Sequence, residues 1–302
     1  MARLIHKKQY VIQKNEGTGE YFIEGWPCAP TRVTSLVAEY FPVFDADAVL
    51  GRMDRSKGKY KGACAVPWYI IKRLRKKREG MTAEQCKEQW RKKGDEAREA
   101  GTALHFFIKL LLEKEDFLMM VAPQIEQEAA KEAVKRIEAD FGSFISAEVP
   151  ICTDEESLLA GTFDALFFTK GDELLLIDWK RAENLLKWTP DKGIKVMSDH
   201  NATQLVKYSL QLHLYKYILE NFYRLHVNGA ERQIKIVPYI CHFKSGTSIF
   251  RLIPALDFRS EAEEIMKDQR AKAAVVRERL RALKRGAPPT SLPSSEEKKS
   301  DE

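Results

Sequence analysis

The hydrophobic pattern divides the chain into an N-terminal stretch of short mixed signals, a helical middle, and a strand-rich block closed by helices. Residues 8–13 and 20–24 flank Glu16-Gly-Thr-Gly19 and read as a β-hairpin with a glycine turn. Residues 31–41 read as a short helix stopped at Pro42, capped by Thr34 or Ser35, with Leu36, Val37, Tyr40 and Phe41 on its apolar face. Residues 45–54 read as a second short helix. A long helix opens at Thr82, with Gln85 at the capping-box position, is interrupted at Lys93-Gly-Asp95, and continues to Glu113. Its apolar stripe is Ala97, Gly101, Leu104, Ile108, Leu111 and Leu112. Gly101 and Thr102 are poor helix formers, small enough to let another backbone come close. Residues 123–140 read as a further helix opened by Pro123.

The period then shortens. Residues 146–152 read as a strand bearing Glu148, and residues 159–168 as a second, with Asp164 among apolar neighbours. A tight turn at 169–172 leads into the apolar run Leu174-Leu-Leu-Ile177, which ends in Asp178-Trp-Lys180. Residues 181–199 form a polar loop whose length suits a lid or a substrate loop. A helix over 201–224 puts Leu205, Tyr208, Leu212, Tyr215 and Leu219 on its core face, with Gln211 beside them. Strands at 233–243 and 248–253 follow, then a basic amphipathic helix over 260–284 with Ser260 as cap and Glu263 three residues on. From Gly286 the chain is Pro, Ser, Glu and Lys, a composition that cannot build a core. This order predicts an α/β protein whose central mixed β-sheet, built from about residues 146–253, is flanked by the 95–113 and 201–224 helices. Expected divisions are an N-terminal β-hairpin and basic helical cap over 1–90, a main domain over 91–284 and a disordered tail over 285–302.

Composition narrows the setting. The 302 residues are 44% hydrophobic and 31% charged, enough for a sizeable core under a well-charged surface. No apolar run approaches the ~20 residues that span a bilayer, and the N-terminus lacks a signal-peptide core. Acids are missing before Glu16, which leaves an organelle-targeting signal open. The five cysteines are scattered and never form a C-x-x-C pair, which speaks against a disulfide framework, a zinc site or an iron–sulfur cluster. An intracellular protein, nuclear or cytoplasmic, is expected. The net charge of +6 suits a polyanionic partner. Residues 52–78 are basic, with Tyr60, Trp68 and Tyr69 interleaved. That mixture suits a nucleic-acid groove or a solvated helix over core aromatics, and residues 72–78 also suit a nuclear-localisation signal.

Candidate chemistry centres on three charges. Residues two apart in a strand share a face, so Asp178 and Lys180 project side by side. The carboxylate can hold a hard cation, and the ammonium can face a water or a phosphate. The triplet alone is equally a strand-end ion pair. Asp164 is less ordinary, because a carboxylate inside an apolar strand is costly unless it is paired or binds metal. His105, one turn after Gly101, sits at the margin of its stripe, where a lone histidine is ordinarily a boundary residue.

Read in order, Gly101-Thr-Ala-Leu-His105, Glu148, Gly161-Thr-Phe-Asp164, Asp178-Trp-Lys180 and Gln211-Leu-His-Leu-Tyr215 resemble the PD-(D/E)XK nuclease superfamily. More narrowly they look like its RecB-type exonuclease branch, marked by G-x-x-x-H, G-x-x-D, (D/E)-x-K and Q-x-x-x-Y. The resemblance covers about residues 95–245. Upstream, Val33-Thr-Ser-Leu and Phe41-Pro-Val-Phe-Asp-Ala-Asp47 look like uncharacterised superfamily members from large DNA viruses. It implies a restriction-endonuclease-like core and a Mg²⁺-dependent nuclease, with Mn²⁺ able to substitute. The implied substrate is single- or double-stranded DNA, most simply for an exonuclease in replication, recombination or repair with protein partners there. An endonuclease, an RNA-directed nuclease or an inactive DNA-binding scaffold of the same fold are the alternatives. It further implies Asp164 and Asp178 as central metal ligands, aided by His105 and the carbonyl of Trp179. Glu148, with Glu155 and Glu156 as nearby rivals, would support the metal or its water. Lys180 would orient or deprotonate the attacking water, and Gln211 and Tyr215 would position the site. Gln204 and Tyr208 have the same Q-x-x-x-Y spacing. No cysteine set for a cluster and no G-x-x-x-x-G-K-[ST] loop is present.

Overall fold

The computed structural model describes residues 2–55, 81–115, 122–171 and 173–285, the side chains of 52–55 excepted. The basic segment after Arg55, with Tyr60, Trp68 and Tyr69, and the tail from Gly286 lie outside the described residues.

Two short sheets and one large one carry the chain. β1 (Ala2–His6) pairs antiparallel with β8 (Tyr223–Val227), which pairs with β9 (Ala230–Arg232). β2 (Ile12–Lys14) and β3 (Tyr21–Ile23) make the expected hairpin, shortened because Gln9 turns at φ 52. The strand at Ala2–His6 is unforeseen, as is the one that ends the 201–224 helix early.

The large sheet runs β11 (Phe250–Pro254), β10 (Ile236–Lys244), β7 (Leu174–Ala182), β6 (Leu159–Thr169) and β5 (Gly142–Cys152). β10 and β7 are parallel, and the other pairs among these five are antiparallel. A two-residue strand, β4 (Thr31–Arg32), pairs parallel with the start of β6, where β7 does not reach. The mixed central sheet flanked by helices is therefore as expected.

Each face has its own core. On one face lie α1 (Val33–Ala38), α5 (Gln204–Phe222) and α6 (Arg259–Lys284), packed on Leu174 and Leu176. On the other lie α3 (Ala83–Glu113) and α4 (Gln124–Asp140), packed on Leu175, Ile177 and Trp179. α2 (Ala46–Arg55) is the expected second short helix, opened by the Asp45 side chain accepting from Ala48 N–H at 2.9 Å. Three local expectations are corrected. α3 runs unbroken through Gly94, because Asp95 pairs with Arg91 and Arg98 across one turn and offsets the glycine. α1 starts one residue before Thr34, with Arg32 at its cap and no side-chain bond. α6 is likewise uncapped by Ser260, whose hydroxyl instead donates to Glu261. The loop after β7 folds back on α1, with Ile194 N–H donating to Tyr40 O and Met197 fully buried.

Candidate metal centre

The centre forms where the pleat of two strands changes phase. In β6, Gly161 and Phe163 face α1 and α5, whereas Ala165 and Phe167 face α3 and α4. In β5, Ala147 faces α3 and α4, whereas Val149 and Ile151 face the other core. Strict alternation would keep residues two apart on one face, so both strands switch at Asp164 and Glu148. These two stand opposite each other, between the pairs Ala147↔Ala165 and Val149↔Phe163. A register shift between Phe144 and Ser146 brings them level. Glu148 itself sits at φ 51, a left-handed conformation that costs a non-glycine residue about 1–3 kcal/mol. On the other side of β6, Ala165↔Ile177 is the last pair with β7, so Asp178 stands next in line beyond it. Three carboxylates thus form a row across three neighbouring strands.

His105 joins the row from α3. Its Nε2 lies 2.6 Å from the carbonyl of Trp179, and a carbonyl only accepts, so the hydrogen belongs on Nε2. Nδ1 then faces Glu148 Oε1 at 3.7 Å and Asp164 Oδ2 at 3.6 Å. His105, Glu148 and Asp164 offer ligand atoms that all lie within 4.8 Å of one another, a trio that can hold a metal ion. Burial pushes the imidazole pKa down, but Asp164 and Glu148 outweigh it and the net shift is up. A proton or a cation is needed between Nδ1 and the two carboxylates.

Asp178 adjoins this trio without belonging to it. The residue is 1% exposed. Its Oδ1 accepts from Lys180 Nζ at 2.8 Å and, weakly, from Gln211 Nε2 at 3.4 Å. Its Oδ2 is buried with no partner. Burial pushes the carboxyl up to about 6, against the pull of Lys180. Burial alone would lower the Lys180 pKa, yet Asp178 and Asp164 hold its ammonium charged and move it upward. A buried acceptor without a donor and a ring nitrogen facing carboxylates fit an added cation, and the mix of carboxylate and imidazole suits a divalent one. Asp164 is tied in by its Oδ2, which accepts the Trp179 N–H at 2.7 Å in place of a strand carbonyl.

The other residues singled out in the sequence lie partly beside these and partly away from them. Glu148 is in the trio, whereas Glu155 is held by Lys8 and Tyr10 at the β5–β6 turn and Glu156 is exposed. Gln211 donates to Asp178 and lies 3.2 Å from the Tyr215 hydroxyl, whereas Gln204 is exposed in the first turn of α5. The Trp179 side chain is buried in the core beneath α3 and α4, and its carbonyl, expected as a metal ligand, pairs with His105 Nε2. Gly161 has a steric reason: a Cβ there would lie 2.6 Å from Tyr215 Cε1 and 3.1 Å from Val33 Cγ2. One residue acquires a role that its place on an apolar stripe did not suggest. The Tyr208 ring lies 4.7 Å from Lys180 Nζ and forms a cation–π floor for it. Beside it opens a cavity of about 390 Å³ lined by Phe41, Val43, Lys207, Tyr208 and Gln211.

No family model and no curated protein matches the chain. Among solved structures it is similar to a crystal structure described as "Putative exonuclease" from Eubacterium rectale. That match has 14% identity, covers 62% of this chain and 68% of the other, and has a TM-score of 0.33. Among the described residues, no helix is long and apolar enough to cross a membrane.

Proposed function

We propose that the chain is a metal-dependent nuclease of the PD-(D/E)XK type that hydrolyses phosphodiester bonds of DNA, acting as an exonuclease. The observation that carries this reading is the carboxylate row Glu148, Asp164 and Asp178, with Asp178 Oδ2 buried and unpartnered beside the Lys180 ammonium. Asp164, Asp178, Glu148 and His105 Nδ1 would hold Mg²⁺, and the imidazole makes Mn²⁺ a ready substitute. A divalent cation bound there supplies neutralisation of phosphate charge and makes water easier to deprotonate.

The chain's own groups do the rest. Lys180, gripped by Asp178 and seated on Tyr208, donates to the attacking water or a non-bridging phosphate oxygen and offsets the charge that develops. The Trp179 carbonyl fixes the His105 tautomer, so that Nδ1 keeps its lone pair toward the carboxylates. Gln211 steadies Asp178 and is itself braced by Tyr215.

The test is cleavage of linear and covalently closed DNA, single- and double-stranded, in Mg²⁺ or EDTA, with wild type beside Lys180→Met. Mg²⁺-dependent loss of linear DNA alone, absent in the variant, is the expected result. Cutting of closed circles would make it an endonuclease of the same site. Binding without cleavage of any DNA or RNA would overturn the enzymatic reading in favour of a scaffold. Manganese titration by calorimetry, weakened in Asp164→Asn, checks the cation site apart from activity.

A further inference from the structure

The cavity of about 390 Å³ beside the carboxylate row lies between the end of α1 and the first half of α5. Ala38, Pro42 and Val43 line it from one side, and Lys207, Tyr208 and Gln211 from the other. All six are accessible: the first three are exposed and the three on α5 are half-buried. Two of them also serve the candidate centre. Gln211 Nε2 lies 3.4 Å from Asp178 Oδ1, and the Tyr208 ring carries the Lys180 ammonium at 4.7 Å. The cavity is therefore one side chain away from the place where Lys180 would meet a phosphate.

We infer that this cavity receives the base of one unpaired nucleotide, next to the phosphate that is cut, and so selects strand ends that are single-stranded or frayed. This subsite presupposes the proposed nuclease activity and adds to it the class of substrate end. Its lining is mostly apolar, with the polar groups of Lys207, Tyr208 and Gln211 set among it. A base matches that mixture, being apolar on its faces and polar at its edge. A bare phosphate would leave the wall of Ala38, Pro42 and Val43 unused. The volume lies near the lower end of the ~300–1,000 Å³ of ligand sites, which suits one nucleoside and excludes a base pair. A nucleotide inside a duplex would have to leave its stack to enter, a cost that a free end escapes. Charge agrees with a strand as the occupant. The Lys207 ammonium lies over the Phe41 ring at 5.3 Å and forms no ion pair among the described residues, with Asp191 acting on it from beyond ion-pair distance. Burial lowers its pKa, and the phosphate attached to a seated nucleotide would offset that burial.

The test measures kcat and KM of the full chain in Mg²⁺ on a single-stranded DNA oligonucleotide. The same strand is then given one abasic nucleotide at each position in turn from its end, and a blunt duplex is prepared with its ends locked by interstrand crosslinks. Wild type is compared with Ala38→Phe, which fills the cavity from an exposed helix position, and with Lys180→Met as the reference for the cleavage site. An abasic nucleotide at one position is expected to raise the wild-type KM roughly tenfold, with kcat changed less. Ala38→Phe should raise KM on the intact strand by a similar factor, and the two losses should not multiply when combined. The locked duplex should be cut at least tenfold less efficiently than the single strand. Cleavage that depends on Lys180 but is indifferent to every abasic position, or that proceeds equally well on locked ends, would overturn the subsite and leave the nuclease standing. Equal KM for Ala38→Phe and wild type, with the same melting temperature, would do the same. Cleavage of no substrate would overturn the nuclease reading and the subsite with it. The abasic series on the wild-type chain does not depend on any variant folding.

Discussion

Strand β7 carries two buried ion pairs, one residue apart and on opposite faces, and they are accounted for in opposite ways. Glu126 and Asp178 are each 1% exposed, and the side chains of Arg181 and Lys180 are 15% and 17% exposed. Arg181 grips both oxygens of Glu126 at 2.8 Å, and the Gly246 N–H adds a third bond at 2.6 Å. Burial pushes Glu126 up, but these donors more than offset it and leave the carboxyl below its ordinary value. Lys180 reaches only one oxygen of Asp178, the other has no donor, and burial wins. Burial does not distinguish the two pairs; hydrogen-bond completeness does. A complete pair holds structure, whereas an incomplete one retains capacity for a ligand.

Breaking the incomplete pair should have the largest effect on activity. Asp178→Asn and Lys180→Met are each expected to lower cleavage by roughly a thousandfold or more. Asp178→Asn should leave the melting temperature of the metal-free protein nearly unchanged, because the shape is kept and the amide oxygen still accepts from Lys180. Steady-state cleavage and calorimetry on the same preparations decide this. A large loss of stability in Asp178→Asn would make the pair structural after all.

Breaking the complete pair should do the reverse. Arg181→Met strands the Glu126 carboxylate and should cost about 3 kcal/mol in urea unfolding, with kcat of the folded fraction nearly kept. The pH dependence has a definite sign. A carboxyl held below its unfolded value gives stability that is present above that value, ordinarily 4.5, and lost as pH falls through the lower folded one. The gap between wild type and Arg181→Met should therefore be widest at neutral pH and narrow on acidification, as the stranded Glu126 of the variant takes up its proton first. A gap independent of pH would remove the electrostatic account.

A smaller effect is expected from Gly161→Ala, which touches the incomplete pair from behind. The added methyl must displace Tyr215, which lies under Gln211, or Val33. Overpacking of this kind costs about 2 kcal/mol, and cleavage should fall by more than stability explains. Equal losses in chemical denaturation and in kcat would leave Gly161 a packing residue only.

How far these differences were legible in the sequence follows from their range. Asp164 stood out because a carboxylate among Phe163, Ala165 and Leu166 is anomalous within a few residues. The helices and most strands followed from local periodicity. The strand at Ala2–His6 did not, because its partner β8 lies more than two hundred residues away and neither segment carries a strong pattern. Gly94 read as a break because glycine is a poor helix former, while the ion pairs that offset it act across a turn. Glu148 could not be separated from Glu155 and Glu156 by pattern alone. The register shift after Phe144 brings Glu148 level with Asp164, and a shift of one residue leaves no local signature. The completeness of the two ion pairs is least legible, since Asp178-Trp-Lys-Arg181 shows the charges but none of their partners.

The smallest expected effect concerns what holds Lys180 in place of a second hydrogen bond. Arg181 is fixed by a two-pronged carboxylate, whereas Lys180 has one oxygen and the face of Tyr208 at 4.7 Å. A partly buried cation–π contact is worth about 1 kcal/mol, which converts to roughly a fivefold change. Tyr208→Leu should thus lower kcat a few-fold with little change in melting temperature, because leucine keeps the apolar packing on α5. Tyr208→Phe retains the ring and should restore kcat to near wild type. The two variants separate the ring from the hydroxyl: if phenylalanine is as damaging as leucine, the hydroxyl matters instead, and Lys180 is held by Asp178 alone.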